Sequence, residues 1–173
     1  MTKTFSHIAL KKINAEPYFT TLKGVEITQD DRNCLVLKDD VLHIKKLVTN
    51  DVVEILSPTT FKWKGRADHT INSGGYKVYV EELESKLVNL LNNNNLFVYK
   101  CQNDILGESV NLAIEGEKIE KSLLQKSKYS SVLAAYEIPK TIIFVPKFSY
   151  SESKKLLREK TLNSFKGIKN SIV

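Results

Sequence analysis

The feature that most constrains the fold of this 173-residue chain is the segment 65–84, which combines a turn, a hairpin and the start of a helix. Two short strand-like runs flank the tripeptide Ser73-Gly74-Gly75, and adjacent glycines tolerate the positive φ angles of a tight hairpin turn. Apolar residues then recur at helical spacing over 80–91. Three glutamates lie early in that stretch, where the helix dipole favours negative charge. The segment therefore predicts a hairpin followed by a helix.

The first 64 residues read as short β-strands separated by polar turns. Apolar runs, some of them alternating, are bounded by Asp, Asn and Pro, which favour turns. The predicted strands cover 25–28, 34–37, 47–49, 52–56 and 60–64. We expect an antiparallel sheet here, and its open edge needs a covering element for stability.

Residues 65–173 alternate between strand-like and helix-like segments. Strands beyond the hairpin are predicted over 96–101, 108–114 and 141–145, and helices over 80–91, 119–133 and 151–162. This pattern is typical of a small α+β domain with a three-stranded sheet, a hairpin and flanking helices. The sequence thus predicts two domains, a β-rich one over 1–64 and an α+β one over 65–173.

The composition is that of an ordinary folded protein, with 42% hydrophobic and 27% charged residues. The longest apolar runs are far shorter than the roughly 20 residues of a membrane-spanning helix, and the N-terminus lacks the apolar core of a signal peptide. Cys34 and Cys101 lie far apart and form no Cys-x-x-Cys motif. We therefore expect a cytoplasmic protein with reduced cysteines and no membrane association.

The net charge of +6 raises the hypothesis of nucleic-acid binding. The basic residues are scattered, however, and aromatic residues do not alternate with them as in a stacking platform for bases. Attraction to an anionic nucleotide or to CoA explains the charge as well. The three histidines have no partner at metal-binding spacing, and the seven glycines form no Gly-rich phosphate loop. We expect no metal site built by the chain alone.

The segment 65–84 resembles the hinge motif of the AMP-forming acyl-CoA synthetases, the adenylate-forming enzymes that include acid–CoA ligases. In that family the hinge joins a large nucleotide-binding domain to a small mobile domain. The resemblance implies that Arg66 contacts the nucleotide, that Asp68 is the pivot of rotation, and that Gly74 and Gly75 approach the CoA pantetheine channel. Without the resemblance, the same residues read as a charged turn and an ordinary glycine hairpin.

A second block, 148–158, is similar to the family segment Thr-x-Ser-Gly-Lys-Ile-x-Arg. The resemblance places Lys155 on the catalytic lysine, which supplies a cation to the carboxylate and α-phosphate as the acyl-adenylate forms. Lys154 stands where the family has glycine, and its β-carbon is expected to distort the loop. The alternative interpretation is that both lysines lie on the solvated face of a terminal helix.

Two further blocks resemble nucleotide-binding motifs of the family. Thr49, Asn50 and Asp51 are similar to a Thr-Gly-Asp segment whose aspartate accepts hydrogen bonds from the ribose hydroxyls. Residues 1–4 resemble the tail of a Tyr-Gly-x-Thr-Glu motif, which implies that Thr2 holds phosphate. Lys3 replaces the glutamate that holds Mg²⁺ in the family. The lysine ammonium would repel the metal ion that the glutamate carboxylate attracts.

The resemblance implies the C-terminal portion of an AMP-forming acid–CoA ligase, with a remnant of the large domain over 1–64 and a mobile domain over 65–173. ATP or AMP, CoA and Mg²⁺ are the implied cofactors, and a separate N-terminal AMP-binding chain is the implied partner. The run 6–12 and the sequence up to residues 61–63 look most like o-succinylbenzoate–CoA ligases of menaquinone synthesis. We expect the chain to be inactive alone. The alternative is a non-catalytic relic or docking module, which the replacements at Lys3 and Lys154 favour.

Overall fold

A computed structural model describes residues 7–12, 16–40, 43–116, 125–165 and 170–172. The chain divides into two compact units, Met1–Thr70 and Ile71–Val173. The boundary between Thr70 and Ile71 lies inside the segment 65–84, which was predicted to form a turn, a hairpin and the start of a helix. The assignment of 1–64 and 65–173 to a large-domain remnant and a mobile domain stays a prediction.

The first unit is a six-stranded antiparallel sheet. Its strands are β1 (Ala9–Leu10), β2 (Phe19–Thr21), β3 (Val25–Gln29), β4 (Cys34–Asp39), β5 (Ile44–Ser57) and β6 (Thr60–Arg66). They lie in the order β1-β2-β6-β5-β4-β3. A short 3-10 turn, Ala67–His69, follows β6. The predicted antiparallel sheet is therefore present.

Strand β5 runs without a break through Asn50 and Asp51, where the sequence predicts an interruption before the strand over 47–49 continues over 52–56. It is continuous for 14 residues. Cys34 pairs with Val52 and Val36 pairs with Val48, so β5 contains more residues than β4 between these two pairs. The excess is accommodated as a β-bulge, which bends a strand without ending it. The polar residues at 49–51 mark this bulge, and they do not end the strand.

Part of the core of the first unit follows the period-two alternation of strand β3, whereas four consecutive residues of β4, from Cys34 to Leu37, are all buried. In β3, Val25 and Ile27 are buried while Glu26 is exposed. Phe19 and Phe61 stack across β2 and β6, with ring centroids 5.4 Å apart. The buried members of this core are Ile8, Val25, Ile27, Leu35, Leu37, Val53 and Phe61.

The second unit is an α+β structure, as predicted, built on a six-stranded mixed sheet. Its strands are β7 (Ile71–Ser73), β8 (Tyr76–Val78), β9 (Leu96–Asn103), β10 (Gly107–Glu115), β11 (Thr141–Val145) and β12 (Asn170–Ser171), and its helices are α1 (Val80–Leu91), α2 (Lys126–Ser130) and α3 (Arg158–Ser164). Strand β10 pairs with β9 antiparallel and with β11 parallel. The sheet exceeds the predicted three strands because the hairpin and β12 join it.

The central strands bury both of their faces. In β9, Leu96 and Val98 belong to one apolar cluster, whereas Phe97 and Tyr99 belong to another. Successive side chains of a strand point to opposite faces, so two clusters require cover on both sides. Buried residues of α1 contribute to the first cluster, and partly buried residues around α3 pack against the second.

The predicted hairpin and first helix are confirmed. Ser73 pairs with Tyr76, which leaves Gly74 and Gly75 as a two-residue turn with φ angles of 59° and 85°. Positive φ at both central positions is what a type I′ turn requires. Helix α1 spans Val80–Leu91 and ends at Asn92, which has a left-handed φ of 48°.

The second predicted helix, over 119–133, is present only in part. Residues 117–124 lie outside the described residues, α2 covers Lys126–Ser130, and 131–133 form a turn. Ser130 and Ser131 each donate a side-chain hydrogen bond to a backbone carbonyl three residues earlier. Such bonds compete with helical geometry, and they explain the early end of the helix.

The third predicted helix, over 151–162, begins later than expected. Helix α3 starts at Arg158, and Tyr150 forms a β-bridge with Leu156 across the intervening turn. Lys154 has a φ of 60°, a left-handed conformation that cannot continue a right-handed helix. The interpretation of Lys154 and Lys155 as the solvated face of a helix is therefore wrong. Among the described residues, no helix has the length and apolarity of a membrane span.

Candidate functional site

The bulge in β5 fixes the backbone of Asp51. The Thr49 hydroxyl donates a hydrogen bond to the Leu35 carbonyl at 2.9 Å, and it accepts one from the Asp51 amide at 3.1 Å. Asn50, which replaces the glycine of the similar motif, accepts a hydrogen bond from Arg32 Nη1 at 3.3 Å. The tripeptide therefore forms an ordered turn within the strand.

An apolar cavity of about 360 Å³ lies beside Asp51 in the first unit. Its walls are Ile8, Ala9, Phe19, Leu35, Asp51, Phe61 and Trp63. Trp63 Nε1 lies 3.4 Å from Asp51 Oδ1, a long hydrogen bond. A half-buried carboxylate at the wall of an apolar, aromatic cavity can accept two hydrogen bonds from the hydroxyls of a ligand whose planar part occupies the cavity.

The two predicted hinge residues contact each other. Arg66 ends β6, and its guanidinium forms two hydrogen bonds with the Asp68 carboxylate, at 3.0 Å from Nε and 3.2 Å from Nη2. This pairing holds the pKa of the Asp68 carboxyl below its ordinary value. Arg66 also pairs with Asp51 in the strand register. The backbone of Asp51 on β5 therefore lies opposite that of Arg66 on β6.

The turn glycines of the second unit are exposed, and one of them is tied to a neighbouring turn. The Gly74 amide donates to the Leu106 carbonyl at 3.0 Å. A β-carbon at Gly74 would lie 3.1 Å from Leu106 Cδ2, whereas one at Gly75 would meet open space. Tyr76 follows the turn and stacks on Tyr136 with centroids 4.5 Å apart. Sequence reasoning missed this aromatic pair because the two residues are 60 positions apart in the chain.

Lys155 lies on a tight turn between residues 149 and 157, here called the lysine loop. The Lys154 amide donates to the Ser151 carbonyl at 2.9 Å. Lys154 takes the left-handed conformation that glycine adopts without strain. The expected distortion of the loop by its β-carbon stays a prediction. Lys155 is exposed, and its ammonium forms no ion pair within the described part of the chain.

Sequence reasoning also missed an ion pair at the base of the lysine loop. Arg158 Nη2 donates to Glu84 Oε2 at 2.9 Å, although the two residues are 74 positions apart. Arg158 aligns with the arginine of the similar motif, which was a signal that it has a role. The spacing of Glu84 on α1 gave no indication of this partner.

The remaining predicted residues add no further site. Thr2 and Lys3 lie outside the described residues. Within the described ranges, no three His, Cys, Asp or Glu residues form a cluster that could hold a metal ion. Cys34 and Cys101 are free thiols, and burial raises the pKa of the Cys34 thiol.

Comparisons with known proteins bear on the fold of the chain. No protein-family model matches the chain. A solved acyl-CoA synthetase (AMP-forming)/AMP-acid ligase II-like protein from Dyadobacter fermentans is 31% identical, with a TM-score of 0.52 over 94% of this chain. The fold is that of AMP-forming acyl-CoA synthetases. The o-succinylbenzoate CoA synthetase of Bacillus subtilis shares this fold, with a TM-score of 0.70 and 18% identity over 88% of this chain and 36% of its own.

A curated acyl-CoA synthetase from Alternaria alternata is 27% identical over 124 residues, which cover 68% of this chain. The chain spans 22% of that relative and 49% of the Dyadobacter fermentans protein. The similarity to AMP-forming acyl-CoA synthetases therefore concerns part of those proteins. Within this fold, Asp51, Arg66 and Asp68 lie in the first unit, and Gly74, Gly75 and Lys155 lie in the second.

Proposed function

We propose that this chain supplies the C-terminal part of an AMP-forming acid–CoA ligase. The observation that carries the proposal is the lysine loop. Lys154 occupies the position of the motif glycine and adopts the left-handed backbone that glycine would take. A left-handed residue directly before an exposed Lys155 supports the assignment of this turn to the lysine motif.

The proposed reaction has two steps. A carboxylate attacks the α-phosphate of ATP, which gives an acyl-adenylate and pyrophosphate, and the CoA thiol then displaces AMP to form a thioester. Lys155 serves the first step as a point cation for the carboxylate and α-phosphate. Gly74 and Gly75 serve the second step, because a turn without side chains permits close approach of the pantetheine arm.

The first unit holds the nucleotide in this proposal. The Asp51 carboxylate accepts hydrogen bonds from the ribose hydroxyls, and the cavity beside it admits a planar base. Arg66 contacts the phosphate after exchanging its contacts with Asp68, which frees Asp68 to act as the pivot of the hinge. Thr2 is a further proposed phosphate ligand. No role is derived for Mg²⁺ from the described residues.

The acyl substrate is proposed to be o-succinylbenzoate, on the resemblance of the run 6–12 and the sequence up to residues 61–63 to ligases of menaquinone synthesis. The 173 residues contain no Gly-rich loop for the triphosphate. We therefore propose that a separate AMP-binding chain supplies that loop and that this chain alone is inactive. A docking module without catalysis is the second candidate, and the replacement of the Mg²⁺ ligand by Lys3 favours it.

A chimera tests the proposal. The chain replaces the matching part of the Dyadobacter fermentans protein, and carboxylate-dependent exchange between ATP and pyrophosphate is measured. We expect exchange in the chimera and none in the isolated chain. Lys155→Ala lowers the exchange rate about 10²–10³-fold, whereas Lys147→Ala, at another exposed lysine, leaves it unchanged. A folded chimera without exchange contradicts the ligase proposal and favours the docking module.

A further inference from the structure

We propose that Glu84 and Arg158 form a clamp that positions the lysine loop on helix α1 and strand β9 without stabilising the fold as a whole. Arg158 and Glu84 are positioning residues here, since they act through the loop. The importance of the loop rests on the function proposed for Lys155. The clamp itself is a property of the second unit and is tested without any ligand.

The clamp joins three elements through one carboxylate. Glu84 Oε2 accepts a hydrogen bond from Arg158 Nη2 at 2.9 Å, and Glu84 Oε1 accepts one from the Val98 amide at 2.7 Å. The Arg158 guanidinium also lies 5.9 Å from the centroid of the Phe97 ring, a distance suited to a cation–π interaction. The position of Arg158 is thereby fixed against both α1 and β9.

Arg158 transmits that position to the loop because it begins α3 directly after the loop ends. The Leu157 amide donates to the Ser149 carbonyl at 2.8 Å, which closes the base of the loop. The Thr161 hydroxyl accepts from the Ser149 amide at 2.9 Å and donates to the Leu157 carbonyl at 3.0 Å. Both ends of the lysine loop are therefore fastened to the first turn of α3.

The electrostatics of Glu84 indicate that the ion pair positions the loop without adding to the stability of the fold. Burial raises the pKa of the Glu84 carboxyl above its ordinary value, although Arg158 and the Val98 amide both act to lower it. Glu81 on the same helix adds to the rise. The ionised carboxylate is thus less favourable in the fold than in water. Partly buried ion pairs of this kind contribute little net stability, yet they select one arrangement of the groups that they join.

Native-state proteolysis with a lysine-specific protease tests the clamp. Cleavage after Lys154 and Lys155 reports opening of the loop, and cleavage after Lys140, whose backbone is bonded to Val110 and Ile172, serves as the internal reference. We expect Glu84→Gln to raise loop cleavage about tenfold relative to Lys140, as for loss of one hydrogen bond to a charged group. The urea midpoint of the double variant Glu84→Gln/Arg158→Met, in which neither charge is left without its partner, stays equal to or above that of the wild type.

Two further variants complete the design. Arg158→Met is expected to open the loop as Glu84→Gln does, and Arg158→Lys, which keeps the cation, is expected to restore part of the protection. Glu137→Gln is the matched control. Glu137 forms an ion pair at 2.6 Å with Lys86, which lies on α1 like Glu84, and Glu137 does not contact the loop. It leaves loop cleavage unchanged.

Unchanged loop cleavage in both Glu84→Gln and Arg158→Met overturns the proposal. A parallel rise at all three lysines together with a lower urea midpoint in the double variant also overturns it, because the pair is then an ordinary stabilising contact. No ATP, CoA or carboxylate is present in these measurements. Failure of the clamp and failure of the ligase assignment are therefore distinguished.

Discussion

Ser151 holds Lys155 at both of its backbone polar groups. The Ser151 hydroxyl accepts a hydrogen bond from the Lys155 amide at 3.0 Å, and the Ser151 amide donates to the Lys155 carbonyl at 2.9 Å. Ser151 aligns with the threonine that opens the similar family motif. A hydroxyl at this position therefore has a structural role, because it accepts the hydrogen bond that closes the turn carrying Lys155.

Removal of that hydroxyl should loosen the turn. We expect Ser151→Ala to weaken local protection by about 1 kcal/mol, the usual net worth of one hydrogen bond, because the Lys155 amide loses its acceptor. Hydrogen exchange of the Lys155 amide measures the effect. Ser151→Thr keeps the hydroxyl and serves as the control. Equal exchange in all three proteins would mean that the hydroxyl does not hold the loop.

Substitution of Lys154, the left-handed residue of the lysine loop, by glycine should stabilise the folded protein. Lys154→Gly removes the strain of a non-glycine residue at a φ of 60° and adds the chain entropy of glycine. We expect a net gain of about 0.5–1 kcal/mol in the free energy of unfolding, measured in urea. Glu152→Gly, in the same loop and without a positive φ, should be destabilising. A loss of stability in Lys154→Gly contradicts the assigned backbone strain.

The two turn glycines should differ in their tolerance of a side chain. Both have positive φ, but only Gly74 has a neighbour, Leu106 Cδ2, within 3.1 Å of an added β-carbon. We expect Gly74→Ala to cost about 1–2 kcal/mol in unfolding free energy and Gly75→Asn to be nearly neutral. Thermal unfolding of the two variants compares them. A larger loss at Gly75 would show that the turn geometry is assigned incorrectly.

The raised pKa of Glu84 predicts a pH dependence of stability. The folded protein binds the Glu84 proton more tightly than the unfolded chain, so this contribution to stability is present below about pH 4.5 and is lost as the pH rises through the raised value. Glu84→Gln should remove that part of the slope. The measurement is the difference in unfolding free energy between wild type and variant across this range. A pH-independent difference contradicts the prediction.

Nucleotide binding should be visible in the fluorescence of Trp63. It is the single tryptophan of the sequence, and it lines the cavity next to Asp51. We expect AMP to change its emission in a saturable manner in the isolated chain, and Asp51→Ala to weaken binding by about 1.5–3 kcal/mol through loss of charge-assisted hydrogen bonds. Glu26→Ala, at an exposed carboxylate on β3, is the control. Equal affinity in the Asp51 and Glu26 variants contradicts the ribose assignment.

Local patterns were sufficient where one short segment specifies its own geometry. The Gly74-Gly75 turn, helix α1 and the existence of strands β9 to β11 follow from neighbouring residues, and each is present as predicted. Local patterns were misleading where side-chain hydrogen bonds, rather than the spacing of apolar residues, determine the backbone conformation. At the lysine loop, apolar spacing indicated a helix, but the Ser151 side chain bonds the backbone and diverts it.

The amino-acid order by itself determined the α+β class, the Gly74-Gly75 hairpin and the selection of Arg66, Asp68 and Lys155 as candidate site residues. Those properties depend on backbone preferences and on the alternation of apolar side chains, which act over a few positions. Only the tertiary structure decided that Glu84 faces Arg158 and that Asp51 borders an apolar cavity. Contacts between residues far apart in the chain arise from packing of whole elements, and no local pattern encodes them.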